Sequence, residues 1–380
     1  MKILAVDIGT GTQDILLYDS HLDLENAYKM VVASPTMIIN HQVKQATRQG
    51  VPIVLTGVTM GGGPSGWAIV DHLKAGYPVF ATPDAARTLN DDLEMVKALG
   101  ITLISDDEAR HMPASAFFID LYDFNFDTIR RSFSEFQVSL DNLTCLAIAV
   151  FDHGAAPPNV SDRKFRFDYL DHRIRDENKL SAFAYCVEDI PPSMTRLQAV
   201  AKSAANLDFP LVVMDTAPAA ILGATFDPVV ILQRQVMIAN IGNFHTLAFR
   251  IGEDGIEGVF EHHTGELSSI ELVRLLGLLA DGTLKNSDVF DHHGHGALIY
   301  NTLPMPINQD GFNLVVTGPR RSILKNSVMH PYSAVPFGDM MMAGCYGLLA
   351  AVADIMPDLG ETIQSSLNNK ENPGIAPWDI

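Results

Sequence analysis

Asp7-Ile8-Gly9-Thr10-Gly11-Thr12-Gln13-Asp14 is a spacing that can hold a phosphate and a metal ion together. Gly9 and Gly11 let backbone N–H groups approach an anion without a Cβ in the way, and Thr10 and Thr12 add hydroxyl donors. Asp7 can hold a hydrated Mg2+ beside the phosphates. The plain alternative is an ordinary hairpin whose turn is rich in glycine and threonine. A second candidate is Met60-Gly61-Gly62-Gly63-Pro64-Ser65-Gly66, a glycine loop between a strand and a helix, where open α/β sheets bind anions. It lacks the lysine ending of a Walker loop and serves equally as a close-packing connection. Asp152-His153-Gly154 follows an apolar strand and offers a carboxylate and an imidazole as base and partner or as metal ligands, although Asp before glycine is also common turn chemistry. His262-His263 and His292-His293-Gly294-His295, beside Asp291, make a divalent metal site conceivable. Neighbouring histidines point apart on regular backbone, so a hydrogen-bonded loop is the favoured reading. Glu261 to Glu266 reads as the cap of a helix over 267–279.

The elements that must position these groups follow from periodicity. Ile3 to Val6 is a buried strand that carries Asp7 to its tip, and Ile15 to Tyr18 is the strand that leaves after Gln13. Tyr28 to Ala33 adds a third strand. Ile38, Ile39, Val43 and Ala46 keep helical spacing up to Gly50, the expected stop. Strands follow at 51–59, 77–82 and 101–105, with helices near 67–74, 91–99 and 126–136. Cys145 to Val150 is another sharp strand. The polar stretch 157–180 reads as an exposed excursion, and a helix is expected over 195–207.

Composition limits the function. The 380 residues suggest two domains, and 47% hydrophobic against 19% charged content is that of a packed globular chain. A formal charge of −19 argues against nucleic-acid binding. The three cysteines, Cys145, Cys186 and Cys345, are far apart in sequence and make no iron–sulfur or zinc-ribbon spacing. The absence of a leader pattern, of a spanning apolar run and of paired cysteines gives the expectation of a cytoplasmic protein with no membrane contact.

Met214-Asp215-Thr216-Ala217-Pro218-Ala219-Ala220 resembles the connecting segment of the actin, sugar-kinase and heat-shock-70 superfamily. The Asp7–Gln13 hairpin is then similar to that family's first phosphate motif, and Asn240-Ile241-Gly242-Asn243-Phe244-His245-Thr246 to its second. Here Asn240 stands where the family usually has Asp, and Asn243 where it has a second glycine. An amide cannot hold a metal-bound nucleophile by charge, which counts against fast hydrolysis. Thr317-Gly318-Pro319-Arg320-Arg321 falls in the place of the adenosine motif, with Pro319 replacing a glycine and Arg320 available for a phosphate or for the protein's own carboxylates. The segment 338–351 resembles the second connecting helix. The nearest likeness is to a prokaryotic family labelled pyruvate formate-lyase activating enzyme-like. Glycyl-radical activators use a CxxxCxxC motif, however, and the chain has none.

The resemblance implies an α/β fold of two RNase H-like mixed-sheet domains around a central cleft, the actin-like ATPase fold. The first domain is placed at 1–210 with an insertion near 106–195, and the second at 211–380, with 211–224 and 338–351 connecting them. It implies an ATP-binding protein with Mg2+ at Asp7. The cofactor contacts fall at Gly9, Thr10, Gly11, Thr12, Gln13, Asn240, Gly242, Asn243, His245, Thr246, Gly318 and Arg320. In the kinase version Asp152 deprotonates a small-molecule acceptor. The alternatives are an ATP-gated activator with slow hydrolysis and a non-nucleotide binding protein on the same fold. Oligomeric state is open, a homodimer included.

Overall fold

The computed structural model describes residues 1–307, 312–368 and 378. Strands β1 (Lys2–Ile8), β2 (Thr12–Asp19) and β3 (Tyr28–Ala33) form an antiparallel meander in which Asp7 pairs with Asp14. The chain then leaves this sheet. Strands β4 (Ile53–Gly57), β5 (Val79–Ala81), β6 (Thr102–Leu103) and β7 (Phe117–Leu121) build a separate, all-parallel sheet in the order β6-β5-β4-β7. Helices Pro35–Gln49 and Pro64–Lys74 pack with it, the first capped by Ser34 and stopped by left-handed Gly50. The added unit thus begins soon after β3, earlier than the insertion expected near 106–195. Its strands are short and mostly apolar, and periodicity alone does not say which sheet such a run joins.

Strands β8 (Cys145–Val150), β9 (Ala184–Cys186) and β10 (Leu211–Asp215) return to the first sheet, whose order is β3-β2-β1-β8-β10-β9. Strands β11 (Val236–Ile241), β12 (His245–Gly252), β13 (Gly255–His263), β14 (Gly296–Ile299), β15 (Leu314–Thr317) and β16 (Tyr332–Ser333) form another sheet, ordered β14-β13-β12-β11-β15-β16. The two large sheets repeat one design. A three-strand antiparallel meander is followed by two parallel strands, β8 and β10 beside β1 in one and β15 and β16 beside β11 in the other. This duplicated order is the RNase H-like arrangement of the actin-like ATPase fold.

Helices Thr216–Ala224 and Ala343–Ile355 cross between the halves. A Cβ on Gly223 would stand 1.7 Å from the Ala343 carbonyl oxygen, and one on Gly347 would stand 1.9 Å from that of Ala219. Only glycine permits this approach. The last helices then return to the first sheet, burying Tyr346, Leu349, Val352 and Ile363 against Ile3, Leu16 and Cys145. The second half is therefore not the whole of 211–380: β10 still belongs to the first sheet, and the C-terminal helices cover it.

Residues 157–180, read as an exposed excursion, contain the helix Asp162–Asp176 with Arg166, Phe167, Leu170 and Ile174 buried. Its apolar stripe is hidden in the sequence by nine charged side chains among its fifteen residues. Among the described residues no helix is long and apolar enough to cross a membrane.

Candidate functional site

The turns of the two meanders meet head to head. Each is closed by the same bond: the Gly9 N–H donates to the Thr12 carbonyl, and the Gly242 N–H to the His245 carbonyl, both at 2.9 Å. A Cβ on Gly11 would stand 2.4 Å from Asn243 Nδ2, so the tips touch. Beside them opens a cavity of about 620 Å³, walled by both turns, the Gly61–Gly63 loop, Asp152, Thr216 and Gly318. That is a volume suited to a cofactor or small ligand.

Asp7 lies at the cavity wall, 8% exposed, with the Thr216 hydroxyl donating to it and Gly344 leaving room for its other oxygen. Burial raises its pKa to about 6, against the lowering effect of Thr216. Asp14, its partner across the strand pair, is pushed up to about 8 by burial and by the Asp7 charge. Asp14 Oδ1 is buried without a hydrogen-bond partner among the described residues. Two neighbouring buried carboxylates, one oxygen unsatisfied, form a donor set that fits a hard cation such as Mg2+. Sequence reading passed over Asp14, although it lies two residues after Thr12 and so on the same strand face.

Of the residues singled out from sequence, Asp7, Gly9, Thr10, Gly11, Thr12, Asp152, Asn240, Gly242, Asn243, His245 and Gly318 line the cavity. Three do not. Gln13 turns the other way and its side chain donates to the Ala33 carbonyl. Thr246 is fully buried, bonded to the Thr264 hydroxyl at 2.9 Å. The two-residue alternation that aims Thr12, Asp14, His245 and Leu247 at the cavity turns Gln13 and Thr246 away. Arg320 is exposed and lies off the cavity wall, its N–H donating to the Ile241 carbonyl.

Asp152 reaches the wall but is not a free base. Its oxygens accept from the backbone N–H groups of Gly154, Arg196 and Leu197, tying the β8 turn to the start of helix Thr195–Ala204. Burial raises its pKa to about 6 despite these bonds. Its work is to hold the turn that carries His153.

The histidines regroup. Glu261 to His263 end strand β13 rather than cap a helix; the cap of Ser269–Ala280 is Ser268. His262 is tied to the His292 carbonyl at 3.0 Å. From the 292–295 cluster only His295 turns inward, to meet His153 and His245. His153 Nε2 and His295 Nε2 are 3.2 Å apart, and Phe151 stacks on the His245 ring. Behind them Arg166 bridges Asp215 and Glu261, and Glu261 faces His295 Nδ1 at 3.4 Å. Burial, then the Arg166 charge, drives the His153 pKa down to about 3, and burial pushes His245 and His295 down as well. Burial raises Glu261 to about 7 against the pull of Arg166. Arg166 was missed from sequence because it sits in a charged run with no motif around it, and Glu261, read only as part of a helix cap, because the fold and not its neighbours brings it to Arg166 and His295.

A family described as "Putative pyruvate format-lyase activating enzyme (DUF1786)" matches residues 60–323, and the chain belongs to it. No curated protein matches the chain. Among solved structures it is similar to the activator of the 2-hydroxyisocaproyl-CoA dehydratase from Clostridium difficile with bound ADPNP, at 9% identity over 99% of this chain and 100% of that one, with a TM-score of 0.33. It is also similar to the ethanolamine utilization protein EutJ from Carboxydothermus hydrogenoformans, at 11% identity over 92% and 89% of the two chains, with a TM-score of 0.31. A carbohydrate kinase from Novosphingobium aromaticivorans follows at 12% identity over 99% and 92%, with a TM-score of 0.23. These overlaps are weak, and the fold rests on the strand order and register described above.

Proposed function

We propose that this member of the DUF1786 family binds a magnesium nucleoside triphosphate between its two hairpin turns and works as a nucleotide-gated protein with slow hydrolysis. The observation that carries the reading is the head-to-head placement of two identically closed turns, with Asp7 and Asp14 at the mouth between them. In this reading Asp7 and Asp14 hold the hydrated Mg2+, which supplies charge neutralisation to the phosphates. The Gly9 and Gly242 N–H groups are spent on closing their turns, so the anion contacts fall to Thr10, Gly11, Thr12 and Asn243. Pro319, Met340 and Met341 give one end of the cavity an apolar character suited to a base. The crossing at Gly223 and Gly347 is the pivot about which the halves would close.

The gated reading is preferred to a small-molecule kinase for two reasons. Asn240 brings no charge to the second turn, and the oxygens of Asp152 are engaged by three backbone donors. Neither is placed to take a proton from an acceptor hydroxyl. The radical-activator chemistry in the family's description needs a thiolate set. Cys145 and Cys345 are buried in the first core, Cys186 is half-buried, and among the described residues no metal-capable cluster contains two cysteines. No step through an iron–sulfur cluster is therefore assigned within this chain.

Titration calorimetry with ATP, ADP and Mg2+ tests the proposal. Saturable Mg2+-dependent ATP binding is expected, with Asp7→Ala weakening it at least about 100-fold while the circular dichroism spectrum is unchanged. Unchanged affinity in Asp7→Ala would remove the site from this cleft. Rapid phosphate transfer to a sugar would restore the kinase reading.

A further inference from the structure

We infer that His153, His245 and His295 form a three-histidine site for a divalent transition metal of the zinc class, set in the cleft wall with one coordination position open to the cavity. The three imidazoles come from separate parts of the chain: the turn after β8, the first residue of β12 and the residue before β14. One nitrogen from each lies within 4.8 Å of the others. Such convergence is how metal sites are built; His263 packs its ring against His245 and His295 without joining the set.

The spacing agrees with coordination. Nitrogens about 2.0–2.1 Å from a tetrahedral zinc stand about 3.3 Å from one another, and His153 Nε2 and His295 Nε2 are 3.2 Å apart. His245 Nε2 is buried with no hydrogen-bond partner among the described residues. A buried imidazole nitrogen left unsatisfied costs free energy that a metal would recover.

The support behind the ligands has the form expected of such a centre. Glu261 Oε1 and His295 Nδ1 stand 3.4 Å apart, each without a hydrogen-bond partner among the described residues, so a small turn of the ring would bring the carboxylate to Nδ1 and leave Nε2 for a metal. Glu261 is held in turn by Arg166, which Asp215 also neutralises. The positive charge of Arg166 is thus answered by two carboxylates, and its guanidinium lies over the Phe151 ring. His153 and His245 line the cavity and His295 stands behind them, so the fourth position faces the cavity, where water or an oxyanion can bind.

The full-length chain, treated with chelator and dialysed, is titrated with Co2+ and then Zn2+. One Co2+ per chain with tetrahedral visible bands, displaced by Zn2+, is expected. His295→Gln should lose at least about 100-fold in affinity, and Glu261→Gln about 10–100-fold. X-ray absorption of the zinc form should report three imidazole donors, which decides the matter on the wild type even if a variant fails to fold. No saturable binding by the wild type, a sulfur-containing shell, or undiminished affinity in folded His295→Gln would overturn the assignment. Calorimetry with ATP on the same samples keeps this outcome separate from that of the nucleotide proposal.

Discussion

The two hairpin turns share a hydrogen bond, a register and a position at the tip of a sheet, yet carry opposite chemistry. The first presents two buried carboxylates, Asp7 and Asp14, with no cationic side chain paired to either among the described residues. At the second, Asn240 is uncharged, imidazoles occupy the wall, and the nearby carboxylates Asp215 and Glu261 are bridged by the guanidinium of Arg166. Duplication of a backbone has therefore not duplicated a site. Unpaired carboxylates await a hard cation, whereas paired ones leave the imidazoles as the available donors.

The sharpest way to break this contrast is Arg166→Met, which leaves Asp215 and Glu261 as bare as the first pair. Both are fully or nearly fully buried, so the cost should be about 3–5 kcal/mol, read as a lower denaturant midpoint. A loss under about 1 kcal/mol would mean that Asp215 and Glu261 do not depend on this cation. Next in size is Asn240→Asp, which gives the second turn the charge it lacks. Phosphate release from ATP should rise about tenfold, a barrier lower by about 1.4 kcal/mol. A rate no higher than that of the wild type would show that the amide is not what holds hydrolysis back.

The first pair also has a pH signature. Asp14 keeps its proton in the fold until about pH 8, whereas the unfolded chain releases it near 3.8. Between these values the native state binds the additional proton, so stability without Mg2+ should fall as pH rises across that window. The slope should be on the order of 1 kcal/mol per pH unit, and steeper below about pH 6, where Asp7 also keeps a proton that the unfolded chain has released. Unfolding midpoints at several pH values, with and without Mg2+, measure it. Asp14→Asn should flatten the curve, and a metal-free protein that grows more stable from pH 5 to 8 would contradict the raised pKa.

What the sequence made legible was local. The Gly9 and Gly242 turns, the strands that lead to them and the small residues of the crossing helices are each encoded within about fifteen residues, by turn chemistry and periodicity. What it hid was convergence. Nothing near His153 announces His295, because their meeting depends on how β8 and β14 are placed by the whole fold. The helix Asp162–Asp176 was hidden differently: Arg166 sits within a charged run, and only its neutralisation by two distant carboxylates makes its burial tolerable. Strand β4 was clear as a strand and silent about its sheet, since its run of three buried apolar residues, Ile53 to Leu55, carries no face preference.

The smallest effect concerns the residues that the motif includes and the strand excludes. Gln13 is adjacent to two cavity residues in sequence, and Arg320 follows Gly318 and Pro319 on the opposite wall. Alternation sends Gln13 toward the Ala33 carbonyl, and Arg320 is exposed off the wall. Gln13→Ala and Arg320→Ala should each leave Mg2+-ATP affinity within about 0.5 kcal/mol of the wild type, as calorimetry can resolve. Were Arg320→Ala to weaken binding tenfold, the second wall would have to move on closure far enough to bring a guanidinium to the phosphates. Charge from the second half would then answer the carboxylates of the first, and the division between the turns would hold only for the open cleft.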